Sequence, residues 1–136
     1  MRSTMQEFPL TIGAIMRHAM AVHSDAEVVT ATASGMRSQS YADLGRRTAQ
    51  LANALRDLGI TGDQRVATFQ WNNAEHLEAY RAVPSMGSVL HTLNIRLFPE
   101  QLTYIANHAE DQVVIVDDSL VGLLAPLLPT FETVRH

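Results

Sequence analysis

Apolar side chains recur at helical spacing over residues 41–58, the most regular pattern in the chain. The intervals between them are three, four, three, four and three residues, which places them on one stripe of a helix. Ser40 with Asp43 resembles a capping box at the start, and Gly59 supplies a left-handed stop at the end. The stripe, which we expect to lie in the core, consists of Tyr41, Leu44, Thr48, Leu51, Leu55 and Leu58.

The two sides of this helix are expected to contribute very differently to stability. Leu51 lies on the apolar stripe, so its truncation to alanine should lower the free energy of unfolding by about 2–5 kcal/mol. Arg47 lies on the polar side, so the sequence predicts that Arg47→Ala costs less than about 0.5 kcal/mol.

The same periodicity predicts three further helices. Their start signals are Thr11 for the first, Asn72 or Asn73 for the second and Pro99 for the third, and Pro84 kinks or ends the second. The inward faces are expected to hold Ile12, Ile15, Met16 and Ala19 in the first helix, Leu77, Tyr80 and Val83 in the second, and Leu102, Ile105, Ala106 and Ala109 in the third.

Stretches of β-branched and apolar residues predict strands. Ser34-Gly35 is a turn signal between two such stretches, which indicates an early β-hairpin. Strands alternate with helices in the rest of the chain, so the fold class is α/β, with a largely parallel sheet and flanking helices. The predicted ranges are 27–32 and 36–40 for the hairpin, and 65–71, 88–93 and 113–116 for the parallel strands.

The limits of the domain are less regular than its centre. Residues 1–10 are expected to form an irregular arm and residues 11–136 a single subdomain. Residues 131–136 begin like a strand without a terminating signal, which predicts that the chain stops before its fold does. The first twenty residues contain no signal-peptide core, and the apolar stretch at 120–129 is too short to span a bilayer. We therefore expect a cytoplasmic protein.

Composition excludes several kinds of chemistry. The 136 residues include ten basic and fourteen acidic side chains, and the formal charge of −4 argues against nucleic-acid binding. The sequence contains neither Cys nor Lys. Disulfides, thiolate catalysis, a Schiff base and a lysine-containing phosphate loop are thereby excluded within these residues. Charged residues make up 18%, a low share that suggests a surface covered by something other than water.

Two glycine-containing segments invite a ligand-binding interpretation. Gly59-Ile60-Thr61-Gly62 lacks the Gly-x-Gly-x-x-Gly pattern and no Lys follows it, so a helix stop and a turn are favoured over a phosphate loop. Ser85-Met86-Gly87-Ser88 lacks the leading glycine of a nucleophile elbow.

Histidines near acidic residues raise the question of a metal site. The first set below does not share a helical face, the second is typical of surface chemistry and the third of a helix end, so a structural metal is disfavoured. The sets are His18 with His23, His76 with Glu75 and Glu78, and His108 with Glu110 and Asp111.

Three further features each allow two interpretations. His91-Thr92 is a buried polar pair or includes a catalytic histidine, and the first is favoured because no nucleophile is placed nearby. Asp117-Asp118 either faces a ligand at the carboxyl edge of the sheet or caps the next helix, which is favoured. Four aromatic residues either form core, as favoured, or line an apolar ligand cavity: Phe69, Trp71, Tyr80 and Phe98.

Several motifs together resemble the amino-terminal part of fatty-acyl-CoA synthetases, in the adenylate-forming superfamily. The resemblance runs from about Pro9 to the end of the chain and is most specific for the medium- and long-chain branch. Its segments are Ser40-Tyr41-Ala42-Asp43-Leu44, Gly62-Asp63-Gln64-Arg65-Val66-Ala67, Trp71-Asn72-Asn73-Ala74-Glu75-His76-Leu77-Glu78-Ala79-Tyr80, the run from Met86 to Leu97, and Tyr104-Ile105-Ala106-Asn107-His108-Ala109-Glu110-Asp111.

The resemblance implies a two-step reaction in the parent protein. Mg-ATP and a fatty acid give an acyl-adenylate and pyrophosphate, and coenzyme A then displaces AMP. The family's phosphate loop, nucleotide motifs and catalytic Lys lie downstream of this region, so no catalytic, cofactor-binding or metal residue is assigned here. ATP, Mg and coenzyme A belong to the parent enzyme and not to these residues alone. The resemblance also implies a homodimer, because several family members dimerise through their amino-terminal region.

Two hypotheses follow. The first is an amino-terminal fragment of a fatty-acid–CoA ligase, inactive by itself and prone to self-association through the apolar residues 120–131 and an unpaired edge at 130–136. The second is a complete small α/β module that binds an apolar or nucleotide ligand at the carboxyl edge of its sheet. The coding sequence after His136 would distinguish them.

Overall fold

A computed structural model describes residues 4–136 and confirms the α/β class. Residues 1–3 of the expected arm lie outside the described residues, and residues 4–10 contain neither helix nor strand. The strands are β1 (Glu27–Thr32), β2 (Gly35–Ser40), β3 (Arg65–Phe69), β4 (Val89–Thr92) and β5 (Val113–Val116). The helices are α1 (Ile12–Val22), α2 (Tyr41–Asp57), α3 (Ala74–Ser85), α4 (Pro99–Ala109) and the short α5 (Val121–Leu124), with 3-10 helices at Asp118–Leu120 and Ala125–Thr130.

The last three strands form a parallel sheet in the order β4-β3-β5. Ala67 on β3 pairs with His91 on β4 and with Val114 on β5, so β3 is the central strand. Alternate residues of β3 face opposite layers: Val66 packs with α2 and α3, whereas Ala67 packs with α4 and the C-terminal segment. The connection from β3 to β4 and the connection from β4 to β5 run in opposite directions across the sheet. Because both crossovers are expected to be right-handed, α4 must lie on the face opposite to α3.

The hairpin of β1 and β2 is antiparallel and docks on α3, outside the parallel sheet. The Thr30 hydroxyl accepts a hydrogen bond from the Ala74 backbone N–H at the start of α3. Arg37 of β2 pairs with Glu75, at 2.6 Å between Nη2 and Oε2. These contacts attach the hairpin at the same end of α3 that follows the carboxyl end of β3.

Local signals set the helix starts as the sequence predicts. Side-chain oxygens of Thr11, Ser40 and Asn73 accept backbone N–H bonds in the first turns of α1, α2 and α3. After α2, Gly59 adopts a φ of 88°, which favours glycine and ends the helix. The caps depend on short-range geometry, so sequence alone places them well.

The inward faces of the helices are only partly those predicted. On α2, Leu44 and Leu55 are buried, but Leu51 is half-buried and Leu58 is exposed. Tyr80 was expected inside and is exposed, because α3 packs on α2 and β3 through small residues one step round the helix, including Ala79 and Ala82. Pro84 lies in the last turn and α3 ends at the next residue.

The first helix buries only one of its predicted inward residues fully. Met16 is buried, whereas Ile12 and Ile15 are exposed and line an apolar surface with Phe8 and Leu10. Where α1 meets α2, the Met20 side chain lies directly over Gly45. The periodicity therefore predicted the helix correctly and overestimated its buried width.

The C-terminal segment packs back on the sheet in part, so only some of the expected apolar surface at residues 120–131 is open: Val121, Leu123 and Leu128 are exposed. Leu120, Leu124 and Phe131 are buried in the core beside α4. Residues 131–136 form no strand, but the Arg135 N–H donates to the Gln112 carbonyl at 2.9 Å and the Val114 N–H donates to the His136 carbonyl at 3.0 Å. The expectation of an unpaired edge at residues 130–136 is therefore wrong for the side that faces β5. Within residues 4–136, no helix has the length and apolarity needed to cross a membrane.

Candidate functional site

The carboxyl end of β3 separates two clefts. Residues leaving β3 run to α3 on one face, whereas residues leaving β4 and β5 run to the other face, and such divergence opens crevices at the edge of a parallel sheet. We call them the β3–β4 cleft, of about 360 Å³, and the β3–β5 cleft, of about 620 Å³. Gln70, the residue after β3, lines both.

The β3–β5 cleft has a hydrogen-bonded polar wall. Asp117 accepts from the Asn73 amide at 3.0 Å, and its other carboxylate oxygen accepts from the Ser119 N–H at 3.1 Å and hydroxyl at 2.7 Å. The Trp71 indole N–H donates to the same Ser119 hydroxyl at 3.0 Å. Asp117 thus caps the 3-10 helix Asp118–Leu120, the favoured interpretation, and also lies at the cleft.

Charge at the mouth of this cleft is mostly negative. The hydrogen bond from Arg37 holds the pKa of Glu75 below its usual range, so that carboxyl stays ionised. Asp117 and Asp118 line the opposite wall. Among the described residues, no three His, Asp or Glu side chains come together in a way that could hold a metal ion. The wall offers hydrogen-bond acceptors to a polar ligand.

The β3–β4 cleft combines aromatic and amide groups with one cation. Asn72, Asn94 and Arg96 lie on its walls, together with the exposed rings of Trp71 and Tyr80. The aromatic residues expected as core therefore divide: Phe69 is buried, but Trp71, Tyr80 and Phe98 are exposed, and the core interpretation is wrong for those three. Gln70, Asn94 and Arg96 were missed by the sequence analysis, although their positions just beyond strand ends could have revealed them.

His76 lies on α3 and forms part of the lining of this cleft. Its Nε2 lies 2.9 Å from the Thr68 hydroxyl, and its ring lies 4.9 Å from that of Tyr80 between centroids. The side chain is 6% exposed. Burial lowers the pKa of His76, and the Trp71 backbone carbonyl partly offsets this effect. The imidazole is therefore held neutral near pH 7.

Acidification should destabilise the protein through His76. Its folded-state pKa lies below the unfolded value of about 6.5, so the unfolded chain binds the proton first and stability falls as the pH drops through that value. In His76→Gln, urea titrations at about pH 7.5 and about pH 5.5 should show a smaller loss than the parent does.

The exposed His18 on α1 provides the matched control, and His18→Gln should keep the parent's pH dependence. Burial raises the pKa of Asp111, and this shift increases the stability as the pH falls, opposite to the effect of His76. Asp111 is present in the parent and in both variants, so its contribution cancels in the comparison. Equal pH dependence in His76→Gln and the parent would contradict the assignment.

His91 lies away from the clefts. Its Nδ1 is 2.9 Å from both carboxylate oxygens of Asp111, which is fully buried before the start of β5. Among the described residues, His91 has no hydroxyl within hydrogen-bond reach, and the Thr133 hydroxyl donates to the Asp111 carbonyl instead. The favoured interpretation of His91-Thr92 as a buried polar pair is wrong in its partner and its burial: His91 is half-buried and pairs with Asp111, and Thr92 is exposed.

The remaining candidate residues from the sequence make contacts that stabilise turns, helices and ion pairs. Gly62, with a φ of 59°, forms a turn in which the Thr61 N–H donates to Gln64, as the helix-stop interpretation requires. The acidic neighbours of His76 bond elsewhere, Glu75 to Arg37 and Glu78 to Arg47. The other positions are accounted for as follows: His18 packs edge-on against His23, His108 stacks on Tyr104, Ser85 is the last residue of α3, and Met86, Gly87 and Ser88 form the turn after it.

Comparison with known proteins gives one protein family. The AMP-binding enzyme family matches residues 16–135. The chain is 43% identical to a medium-chain-fatty-acid–CoA ligase of Ectopseudomonas oleovorans over 93% of its length, and 41% identical to a long-chain-fatty-acid–CoA ligase of Thermus thermophilus over 98%. It is 39% identical to a 3-methylmercaptopropionyl-CoA ligase of Ruegeria pomeroyi over 100%. It spans only 23–25% of these relatives.

A solved structure shares the fold. The anthranilate–CoA ligase AuaEII, crystallised with anthranoyl-AMP, superposes with a TM-score of 0.85 at 20% sequence identity. The match covers 97% of this chain and 26% of that one. The arrangement of hairpin, helices and parallel strands is therefore that of one part of a larger fold.

Proposed function

The chain belongs to the AMP-binding enzyme family, and we propose that it is the amino-terminal part of a fatty-acid–CoA ligase. The identity with two fatty-acid–CoA ligases over almost the whole chain carries this proposal. The proposed reaction of the parent protein joins a fatty acid to coenzyme A through an acyl-adenylate, with ATP converted to AMP and pyrophosphate and Mg as the cofactor. The family match favours this function over a separate binding module.

Within the proposal, these residues supply scaffold and the walls of two clefts. The clefts lie at the carboxyl edge of parallel strands, the usual position for ligands in α/β folds. No catalytic, cofactor-binding or metal-ligating role is assigned to any residue here. A cytoplasmic location and a homodimer belong to the same proposal, and the exposed apolar face of α1 supports the homodimer.

The 136-residue chain alone should show no ATP–pyrophosphate exchange with fatty acids. It contains no Lys and no glycine-rich phosphate loop to stabilise the charge that develops on pyrophosphate. The measurement is exchange of labelled pyrophosphate into ATP with octanoate, palmitate or 3-methylmercaptopropionate. Exchange clearly above a protein-free control would contradict the proposed division of roles.

A chimera provides the positive arm. We expect the Ectopseudomonas ligase, with its matching residues replaced by this chain, to fold and to form octanoyl-CoA. Circular dichroism checks that the chimera is folded. A folded chimera without thioester formation, while the parent ligase remains active under the same conditions, would reject the proposed function.

A further inference from the structure

We propose that a groove between α1, α2 and α3 binds a phosphate group, either as the free ion or as a phosphate monoester. The groove encloses about 270 Å³ on the helical face, away from both clefts at the carboxyl edge. The volume of the groove suits a phosphate ion, or the phosphate of a monoester together with a few atoms of the attached organic group. The residues that carry the argument are Gly13 and Arg17 of α1, Thr48, Asn53 and Arg56 of α2, and Ser85 of α3.

Two arginines give the groove a positive charge in an otherwise acidic chain. Arg17 makes no hydrogen bond or ion pair with any other described residue, and Arg56 donates only to the neutral Asn53 amide oxygen at 3.1 Å. Elsewhere on α2 the arginines are neutralised, Arg46 by Asp43 and Arg47 by Glu78. No Asp or Glu is among the described residues that line the groove. Guanidinium groups are well suited to phosphate oxygens.

A buried hydroxyl on the floor provides an independent indication of a ligand. Thr48 is 7% exposed, and its Oγ1 has no hydrogen-bond partner among the described residues. A buried hydroxyl without a partner is unfavourable, and a phosphate oxygen supplies the missing acceptor. The Ser85 hydroxyl lies on the opposite wall, beside Gly13.

The helix ends around the groove have opposing electrostatic effects on a bound anion, and the charges of the two arginines are larger than either. Gly13 lies in the first turn of α1, whose free N–H groups favour an anion, while α2 and α3 end nearby with partial negative charge. Each helix end contributes about half an elementary charge. Two full positive charges, one of them in the last turn of α2, outweigh the two negative ends.

The test is a titration of the 136-residue chain with inorganic phosphate and, separately, with glycerol 3-phosphate, at constant ionic strength. Two-dimensional 15N–1H NMR reports the affected amides, which should lie in residues 13–17, 45–56 and 82–86. The double variant Arg17→Gln with Arg56→Gln should bind at least about tenfold more weakly, since both charge-assisted contacts are lost. Arg46→Gln removes an arginine of the same helix outside the groove and should leave binding unchanged.

Thr48→Val separates a ligand contact from a structural role. It should weaken phosphate binding several-fold while leaving the free protein at least as stable, because it removes an unpaired buried hydroxyl. If the double arginine variant proves unfolded by circular dichroism, Thr48→Val and Arg17→Gln alone decide the question.

Stronger binding of glycerol 3-phosphate than of phosphate would identify a monoester as the ligand, and the reverse order would identify the free ion. Absence of binding, shifts spread over the whole surface, or equal weakening by Arg46→Gln would each overturn the proposal. The titration uses neither ATP nor fatty acid, so its outcome is independent of the ligase assays.

Discussion

Replacing Arg47 with alanine should lower the free energy of unfolding by about 2–4 kcal/mol, far more than the sequence pattern predicts. The Arg47 guanidinium donates twice to Glu78, through Nε to Oε1 and through Nη2 to Oε2 at 3.0 Å. The Glu78 side chain is only 6% exposed, whereas that of Arg47 is 45% exposed. Removal of the arginine leaves a buried carboxylate that the Gln39 amide, at 3.4 Å, compensates poorly.

Arg46→Ala is the matched control for this prediction. Arg46 precedes Arg47 on α2 and pairs with Asp43 at the surface, so its loss should cost less than about 0.5 kcal/mol. Urea titrations of both variants give the comparison. A double-mutant cycle with Glu78→Gln should show that Arg47→Ala costs less once the buried charge is removed. Similar losses for Arg46→Ala and Arg47→Ala would contradict the buried ion pair.

Leu55→Ala should destabilise the protein by about 2–5 kcal/mol, the usual cost of truncating a fully buried leucine. Leu55 is 2% exposed and packs against Ile60, Val66 and Val83, between α2 and the sheet. The cavity left there is bordered by the central strand and by α3, which cannot collapse independently. A denaturant titration measures the loss as a lower midpoint with an unchanged m-value.

Leu51→Ala on the same stripe should cost less, about 1–2 kcal/mol, because Leu51 is half-buried at the border of that cluster. This replaces the larger value that the periodicity alone predicts for Leu51. If Leu51→Ala proved as costly as Leu55→Ala, the orientation of α2 on the sheet would be wrong. The pair of variants therefore measures the rotation of the helix about its own axis.

The position of the site was predicted in outline and its composition was not. Parallel strands and alternating helices indicate that ligands meet the sheet at its carboxyl edge, and Asp117 was identified there. Trp71 and Tyr80 were expected in the core, yet both rings are exposed at the β3–β4 cleft. Apolar character alone does not distinguish an aromatic ring that packs inside from one that lines a cleft.

Sequence by itself determined the type of each helix and strand between residues 12 and 116, and the start of the four longer helices to within about one residue. Thr11, Ser40, Asn73 and Gly59 act within one turn of their own position, so neighbouring residues contain the information they need. The same holds for β1 and β5, whose predicted bounds match the structure. Local hydrogen bonding and residue spacing are sufficient for these features.

Only the tertiary structure decided which polar groups became buried. Glu78 and Arg47 lie on different helices 31 residues apart, and each reads as a surface charge until α2 packs on α3. His76 likewise becomes buried because β3 presents Thr68 beneath it. Burial depends on contacts between elements that are distant in sequence. Helical periodicity specifies the buried face of a helix only to within about one residue, and a shift of one residue is enough to bury a charge that the pattern assigns to the surface.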